Sequence, residues 1–194
     1  MNKLDQDFWN NKYKNNQTGW DLGQVSPPIK SYIDQLENKD IKILIPGAGN
    51  AYEADYLLEN EFKDITIIDI APKLVKKLKT KWEDNPNIQI LHGDFFKHEG
   101  KYDLIIEQTF FCAIDPSERA NYVKKMNELL KQNGKLVGLL FNRHFEGGPP
   151  FGGSKEEYEE LFKEQLKLNV FETAHNSIDP RSGVELWINC KSVD

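Results

Sequence analysis

The sequence predicts an α/β fold, a doubly wound sheet that is mostly parallel. Three observations predict it. From residue 41 onward, short apolar runs rich in β-branched residues alternate with segments of helical period. The first run leads straight into a turn that holds two glycines, Gly47 and Gly49. The last two runs have only "HNSIDPRSG" between them. With no crossover helix they pair as a hairpin, which turns one edge of the sheet antiparallel.

Taken in order, residues 1–40 stand outside the alternation and read as two helical pieces. The second, "PPIKSYIDQLEN", carries Ile29, Ile33 and Leu36 on one face. "IKILIPGAG" (41–49) is a buried strand that ends in the glycine turn, and "AYEADYLLEN" is a helix. "DITIIDI" (64–70) is the second strand. "PKLVKKLKTKW" opens a helix with Pro in its first turn. "NIQILHGDFF" (87–96) and "YDLIIEQ" (102–108) are the third and fourth strands. A helix over 116–131 sets Tyr122, Met126, Leu129 and Leu130 on one face, and "QNG" should stop it with Gly134 as cap. "KLVGLLF" (135–141) is the fifth strand, and "SKEEYEELFKEQL" a helix with a Ser and Glu start signal. Strands near 168–174 and 184–191 finish the chain. The whole reads as one domain over 1–194, with 1–40 as a helical lid and 41–194 as the core.

Composition sets bounds on function. The net charge of -6 argues against a nucleic-acid partner, which needs a clustered basic surface. The lysines at 73, 76, 77, 79 and 81 read as a solvated helix face. The 2 cysteines, Cys112 and Cys190, have no metal-ligand spacing and suit a reducing cytosol. "MNKLDQDFW" lacks the apolar run of a signal peptide. No apolar stretch approaches the roughly 18 residues that span a membrane.

The first strand, turn and helix carry most of the chemistry. Gly47 and Gly49 let a ligand approach the main chain where it leaves the strand. Asp69 ends the second strand, where an acid reaches the ribose hydroxyls of an adenosine held at the strand ends. A dinucleotide fingerprint would want a third glycine at position 52, and that position is Tyr52. Glu53 and Asp55 in the first helical turn would repel a pyrophosphate but tolerate a cationic or zwitterionic cofactor. The balance favours S-adenosylmethionine over NAD, which stays open at this point. Asp94, after the third strand, could accept from an adenine amino group, with Phe95 and Phe96 beside the ring. Glu107 could orient the methionine amino group of such a cofactor.

At this point the chain resembles a known family. "DLIIEQTFFCAIDPSERANYVKKMNELLKQNGKLVGLL" followed by "EGGPPF" is similar to the thiopurine S-methyltransferase superfamily. "FFCAIDP" resembles its thiol and halide methyltransferase branch. "FWNNKYKNNQTGWD" is similar to the W-x3-W-x6-W-D pattern near the family's N-terminus. The resemblance runs roughly from Phe8 to Leu186. It implies a class I S-adenosylmethionine-dependent methyltransferase fold, with seven strands and the last antiparallel. It also implies that Trp9, Tyr13 and Trp20 lie over the cofactor, and that Gly47, Asp69, Asp94 and Phe95 are binding positions. Gln108 falls where relatives place a Tyr or Arg beside the cofactor. Tyr13 departs from the usual Trp but still offers an aromatic face.

Methyl transfer from a sulfonium to a soft nucleophile needs alignment and dryness more than a strong base. The expected acceptor is a small thiol, bisulfide, thiocyanate or halide. A larger aromatic thiol is the alternative, and a non-catalytic cofactor-binding module another. The loop "FNRHFEGGPPFGG" should cover the acceptor, with Phe151 as apolar wall. Arg143, His144 and Arg181 could attract an anion. Cys112, between "FF" and "AI", reads as a small core residue rather than a nucleophile.

Overall fold

The computed structural model describes residues 4–193; residues 1–3 and 194 of the expected domain lie outside them. Two short helices, α1 (Gln6–Lys14) and α2 (Pro27–Ile33), precede the sheet. The core then runs β1 (Lys42–Pro46), α3 (Tyr52–Glu59), β2 (Asp64–Asp69), α4 (Pro72–Lys81), β3 (Ile88–His92) and β4 (Tyr102–Gln108). It continues with α5 (Arg119–Leu129), β5 (Leu130–Phe141), α6 (Lys155–Lys163), β6 (Leu166–Thr173) and β7 (Glu185–Ser192). The seven strands lie in the order β3-β2-β1-β4-β5-β7-β6.

Strands β1 to β5 are mutually parallel. β7 pairs antiparallel with β5 on one side and with β6 on the other. It is therefore the one reversed strand, slotted between its neighbours, and β6 becomes the edge. Because side chains alternate across a strand, each run feeds two cores. Ile43, Ile45, Ile65 and Ile67 join a cluster with α2, α3 and α4. Leu44 and Ile105 join the other, with Tyr122, Met126, Tyr158 and Phe162 of α5 and α6. Each such fully buried side chain contributes about 1.5–3 kcal/mol.

Two elements differ from expectation. α2 stops at Ile33, and Leu36 follows in a turn whose N–H donates to the Ile33 carbonyl, still packed against the core. α5 stops at Leu129, five residues before Gly134. Leu130 is buried and already pairs with Tyr102, so burial pulls the chain directly from helix into sheet. Asn133 takes the left-handed φ of 64°, and a Cβ on Gly134 would lie 2.9 Å from the Tyr102 carbonyl oxygen. "QNG" is thus a close approach inside the ladder, not a helix cap.

Parallel pairing brings the ends of β1, β2, β3 and β4 to one rim. Gly47, Asp69, Asp94 and Gln108 all sit there, each at or just past the end of its strand.

Candidate active site

A cavity of about 730 Å³ opens at this rim beneath the N-terminal segment. Its wall includes Trp9, Tyr13, Trp20, Gly47, Gly49, Asp69, Asp94, Phe95 and Gln108. The structure thus brings together nine of the residues that the sequence singles out on the cofactor side; Glu107 is the exception. The size is that of a small-molecule site, about 300–1,000 Å³.

The glycine turn is built for close approach. Gly47 has φ +56°, and a Cβ there would come 2.3 Å from Phe110 Cδ2. Gly49 has φ +55° and faces the Tyr13 hydroxyl. Ala51 also takes the left-handed conformation before α3 begins. Asp69 is buried and accepts the Ala71 N–H at 2.8 Å. Burial pushes its carboxyl up to about 6, against the pull of backbone N–H donors. Asp94 Oδ1 accepts the Phe96 N–H at 3.0 Å, which turns the chain so that Phe95 and Phe96 meet edge to face. Gln108 Oε1 is buried with no hydrogen-bond partner among the described residues. An orphaned acceptor on a cavity wall fits a ligand that brings a donor.

The aromatic segment forms a roof. Trp20 meets Trp9 at 5.8 Å and Tyr13 at 6.0 Å between ring centroids, both edge to face. Burial and the Asp69 charge raise the Tyr13 hydroxyl, which stays protonated. Asp5 caps α1 by accepting the Asp7 and Phe8 N–H groups. Asn10 Oδ1 accepts the Lys73 N–H at 3.0 Å, and Asp21 bonds Asn50. Lys77 reaches Asn50 Oδ1 at 2.7 Å, and Lys81 pairs with Asp55 at 2.5 Å. Part of the lysine face on α4 therefore tethers the roof and the glycine-turn helix rather than only meeting water.

Glu107 does not join the wall. It is fully buried, and its Oε1 accepts the Phe110 and Phe111 N–H groups at 2.7 and 2.9 Å. Its Oε2 accepts the Tyr122 hydroxyl at 2.5 Å. Burial pushes the carboxyl up to about 7, against those three donors. It fixes the loop that seats Phe110 against Gly47, so the role of orienting an amino group does not fit it.

The acceptor-side expectation needs correction. Arg143, Phe151 and Arg181 do not line the cavity. Arg143 bridges to Gly153 and lies over the Phe145 ring. Phe151 donates its N–H to the Cys112 carbonyl at 2.7 Å and packs against Gly148. Arg181 is buried and paired with Glu185. Their side chains find protein partners first. Pro149 and Pro150 line the cavity from that loop, joined by Phe110, Ile114, Asp115 and Glu118. All of these but Glu118 lie in the "FFCAIDP" and "GGPPF" segments, which are motifs in the sequence without residue roles; Glu118 follows two residues after the first. The buried Arg119 pins the loop by donating to the Gly152 carbonyl at 2.9 Å and to Glu157 at 3.0 Å. Cys112 borders the cavity, but burial pushes its thiol up to about 12, so it is no nucleophile.

No helix among the described residues is long and apolar enough to cross a membrane. Comparison with known proteins agrees with the geometry. The family model "Thiopurine S-methyltransferase (TPMT)" matches residues 4–187. The chain is 31% identical to a probable thiol methyltransferase 2 of Arabidopsis thaliana, covering 91% of this chain and 81% of the relative. It is 28% identical to thiocyanate methyltransferase 1 of Brassica oleracea, with 91% and 81% covered. Among solved structures, it resembles the Burkholderia thailandensis 1,6-didemethyltoxoflavin-N1-methyltransferase, crystallised with S-adenosylhomocysteine. That match has a TM-score of 0.76 at 16% identity, over 97% of this chain and 87% of the other. The sheet is that of the class I S-adenosylmethionine-dependent methyltransferases. With this strand order, this rim and the match over residues 4–187, the chain belongs to the thiopurine S-methyltransferase family.

Proposed function

We propose that the chain methylates the sulfur of a small thiol, using S-adenosylmethionine as methyl donor. The observation that carries this is the meeting of nine predicted residues on one cavity roofed by three aromatic rings. The cofactor, when bound, supplies a methyl group on a sulfonium. Gly49 leaves the main chain open to it, and Gly47 makes room for the Phe110 ring in the wall. Asp69 suits the ribose hydroxyls, Asp94 an adenine amino group, and Phe95 the adenine ring. Gln108 Oε1 needs a donor that the described residues do not provide. Trp9, Tyr13 and Trp20 exclude water and turn aromatic surface towards a cation, at about 0.5–2 kcal/mol per contact. The thiol enters neutral and passes its proton to a carboxylate of the wall as the S–CH3 bond forms, so no strong base is needed and the cofactor leaves as a neutral thioether. We read residues 1–40 as the lid of one domain and 41–194 as its core; the two buried free cysteines suit the cytosol.

The charge of the wall narrows the acceptor. It holds Asp5, Asp21, Glu53, Asp69, Asp94, Asp115 and Glu118 against one base, Lys12. None of these seven carboxylates has an ion-pair partner within 4.0 Å among the described residues. Such a wall favours the sulfonium and disfavours a preformed anion. A neutral thiol or hydrogen sulfide therefore fits better than thiocyanate or a halide. The apolar patch of Phe110, Ile114, Pro149 and Pro150 also admits an aromatic thiol, the second reading. A panel of hydrogen sulfide, an alkyl thiol, an aromatic thiol, thiocyanate and iodide tests both, reading S-adenosylhomocysteine formed. Thiols should turn over fastest. Cofactor binding without turnover of any of them would sink the proposal.

A further inference from the structure

Arg181 lies outside the cavity, yet it touches the roof. It enters from the short turn Asp179–Arg181 between β6 and β7 and is 8% exposed. A buried guanidinium must be paired. Nη1 donates to Glu185 Oε1 at 3.1 Å, and Nη2 donates to the Trp20 carbonyl at 2.8 Å. Its plane lies over the Phe141 ring at 5.2 Å. Phe141 and Glu185 are register partners on β5 and β7. One rung at the end of the ladder therefore supplies both the ring and the carboxylate that hold the arginine.

From this seat the guanidinium grips the main chain of the residue whose ring packs on Trp9 and Tyr13. Pairing with Glu185 alone would satisfy the local charge. The second bond spans 161 positions and serves the roof. The other roof tethers join neutral or exposed partners, Asn10 to the Lys73 N–H and Asp21 to Asn50. Only an arginine can stack on Phe141 and donate to two separate acceptors at once; a lysine is a point charge without the fork.

We propose that Arg181 is the positioning residue of the lid, fixing Trp20 over the cavity and so setting cofactor affinity without touching the cofactor. The proposal rests on the cavity being the cofactor site. Arg181→Met removes both bonds and keeps apolar packing on Phe141. Because it strands the buried Glu185, the double variant Arg181→Met, Glu185→Leu is its folded control; replacing both members of a buried pair is often tolerated.

Two measurements follow on each variant. In the ligand-free protein, hydrogen exchange over residues 5–24 should quicken while the amides of β1, β2 and β4 keep wild-type protection. Calorimetry with S-adenosylhomocysteine should show binding weakened roughly ten- to hundredfold, the worth of a charged hydrogen bond. In a Trp20→Ala background the arginine change should add almost nothing, since the ring it positions is gone. Unchanged exchange in the lid would overturn the proposal, as would additive losses with Trp20→Ala. Wild-type protein that binds no S-adenosylhomocysteine would overturn the cofactor reading instead, and the exchange data would still decide whether Arg181 holds the lid.

Discussion

Glu107→Gln should flatten part of the stability profile against pH. In the wild type the buried carboxyl has its pKa raised from 4.5 to about 7. Below about pH 4.5 the group is protonated in both folded and unfolded chains and contributes no slope. Between about 4.5 and 7 the unfolded chain has lost the proton and the folded chain keeps it. The folded state then binds more protons, so stability falls as pH rises, and it levels above about 7. At about 1.4 kcal/mol per pKa unit, Glu107 accounts for roughly 2.5 kcal/mol lost between about pH 5 and pH 8. Glutamine keeps an oxygen for the Phe110 and Phe111 N–H groups and offers its amide N–H to the Tyr122 oxygen. It carries no charge to desolvate, so the variant should lack this loss. Denaturant unfolding of both proteins at several pH values checks it. Glu53, raised by burial to about 7, contributes in both proteins and cancels in the difference. Parallel pH profiles would refute the reasoning, because Glu107 would then be ionised in the folded protein without cost.

Three further outcomes are expected. Trp20→Ala should weaken S-adenosylmethionine binding roughly five- to hundredfold, from lost ring pairs and one lost cation–π face, while the thermal midpoint moves by only a few degrees; an unchanged Kd would make these rings mere packing. Gly47→Ala should cost about 1–3 kcal/mol in denaturant unfolding, from the clash with Phe110 and the left-handed φ. Asp69 is raised to about 6, so if it holds the ribose as proposed, cofactor affinity by calorimetry should fall as pH drops below about 6 and its carboxylate is protonated. Asp69→Asn should bind weakly at every pH.

Much of this was legible from the residues because the physics was local or periodic. Strands buried on both faces read as continuous apolar runs, and parallel pairing alone carries Asp69, Asp94 and Gln108 to one rim. What failed was phase and distance. Glu107 and Gln108 are neighbours at a strand end, and neighbours point to opposite faces. The sequence does not reveal which of the two meets the ligand; the structure sends Gln108 to the cavity and Glu107 to the core. By charge alone, Arg143 and Arg181 suit an anion. Their acceptors are carbonyls, carboxylates and rings brought near only by the finished fold. Gly134 looked like a helix stop because glycine is common there, but the buried Leu130 had already committed the chain to the sheet.

The place of β7 between β5 and β6 also governs the order in which the protein can be completed as it leaves the ribosome. β6 is made first but has no direct partner in the older sheet; it must wait for β7 to fill the gap. The roof waits too, since Trp20 takes its grip from Arg181, which is made 161 positions later. A chain made as far as β5 therefore lacks both β7 and the arginine that grips the roof. With Trp9, Trp82 and Trp187 replaced by Phe, chains stopped before Glu185 should keep α-helical circular dichroism yet protect Trp20 less from a fluorescence quencher than the full chain does. Quenching equal to that of the full chain would show that the roof closes without its last strand.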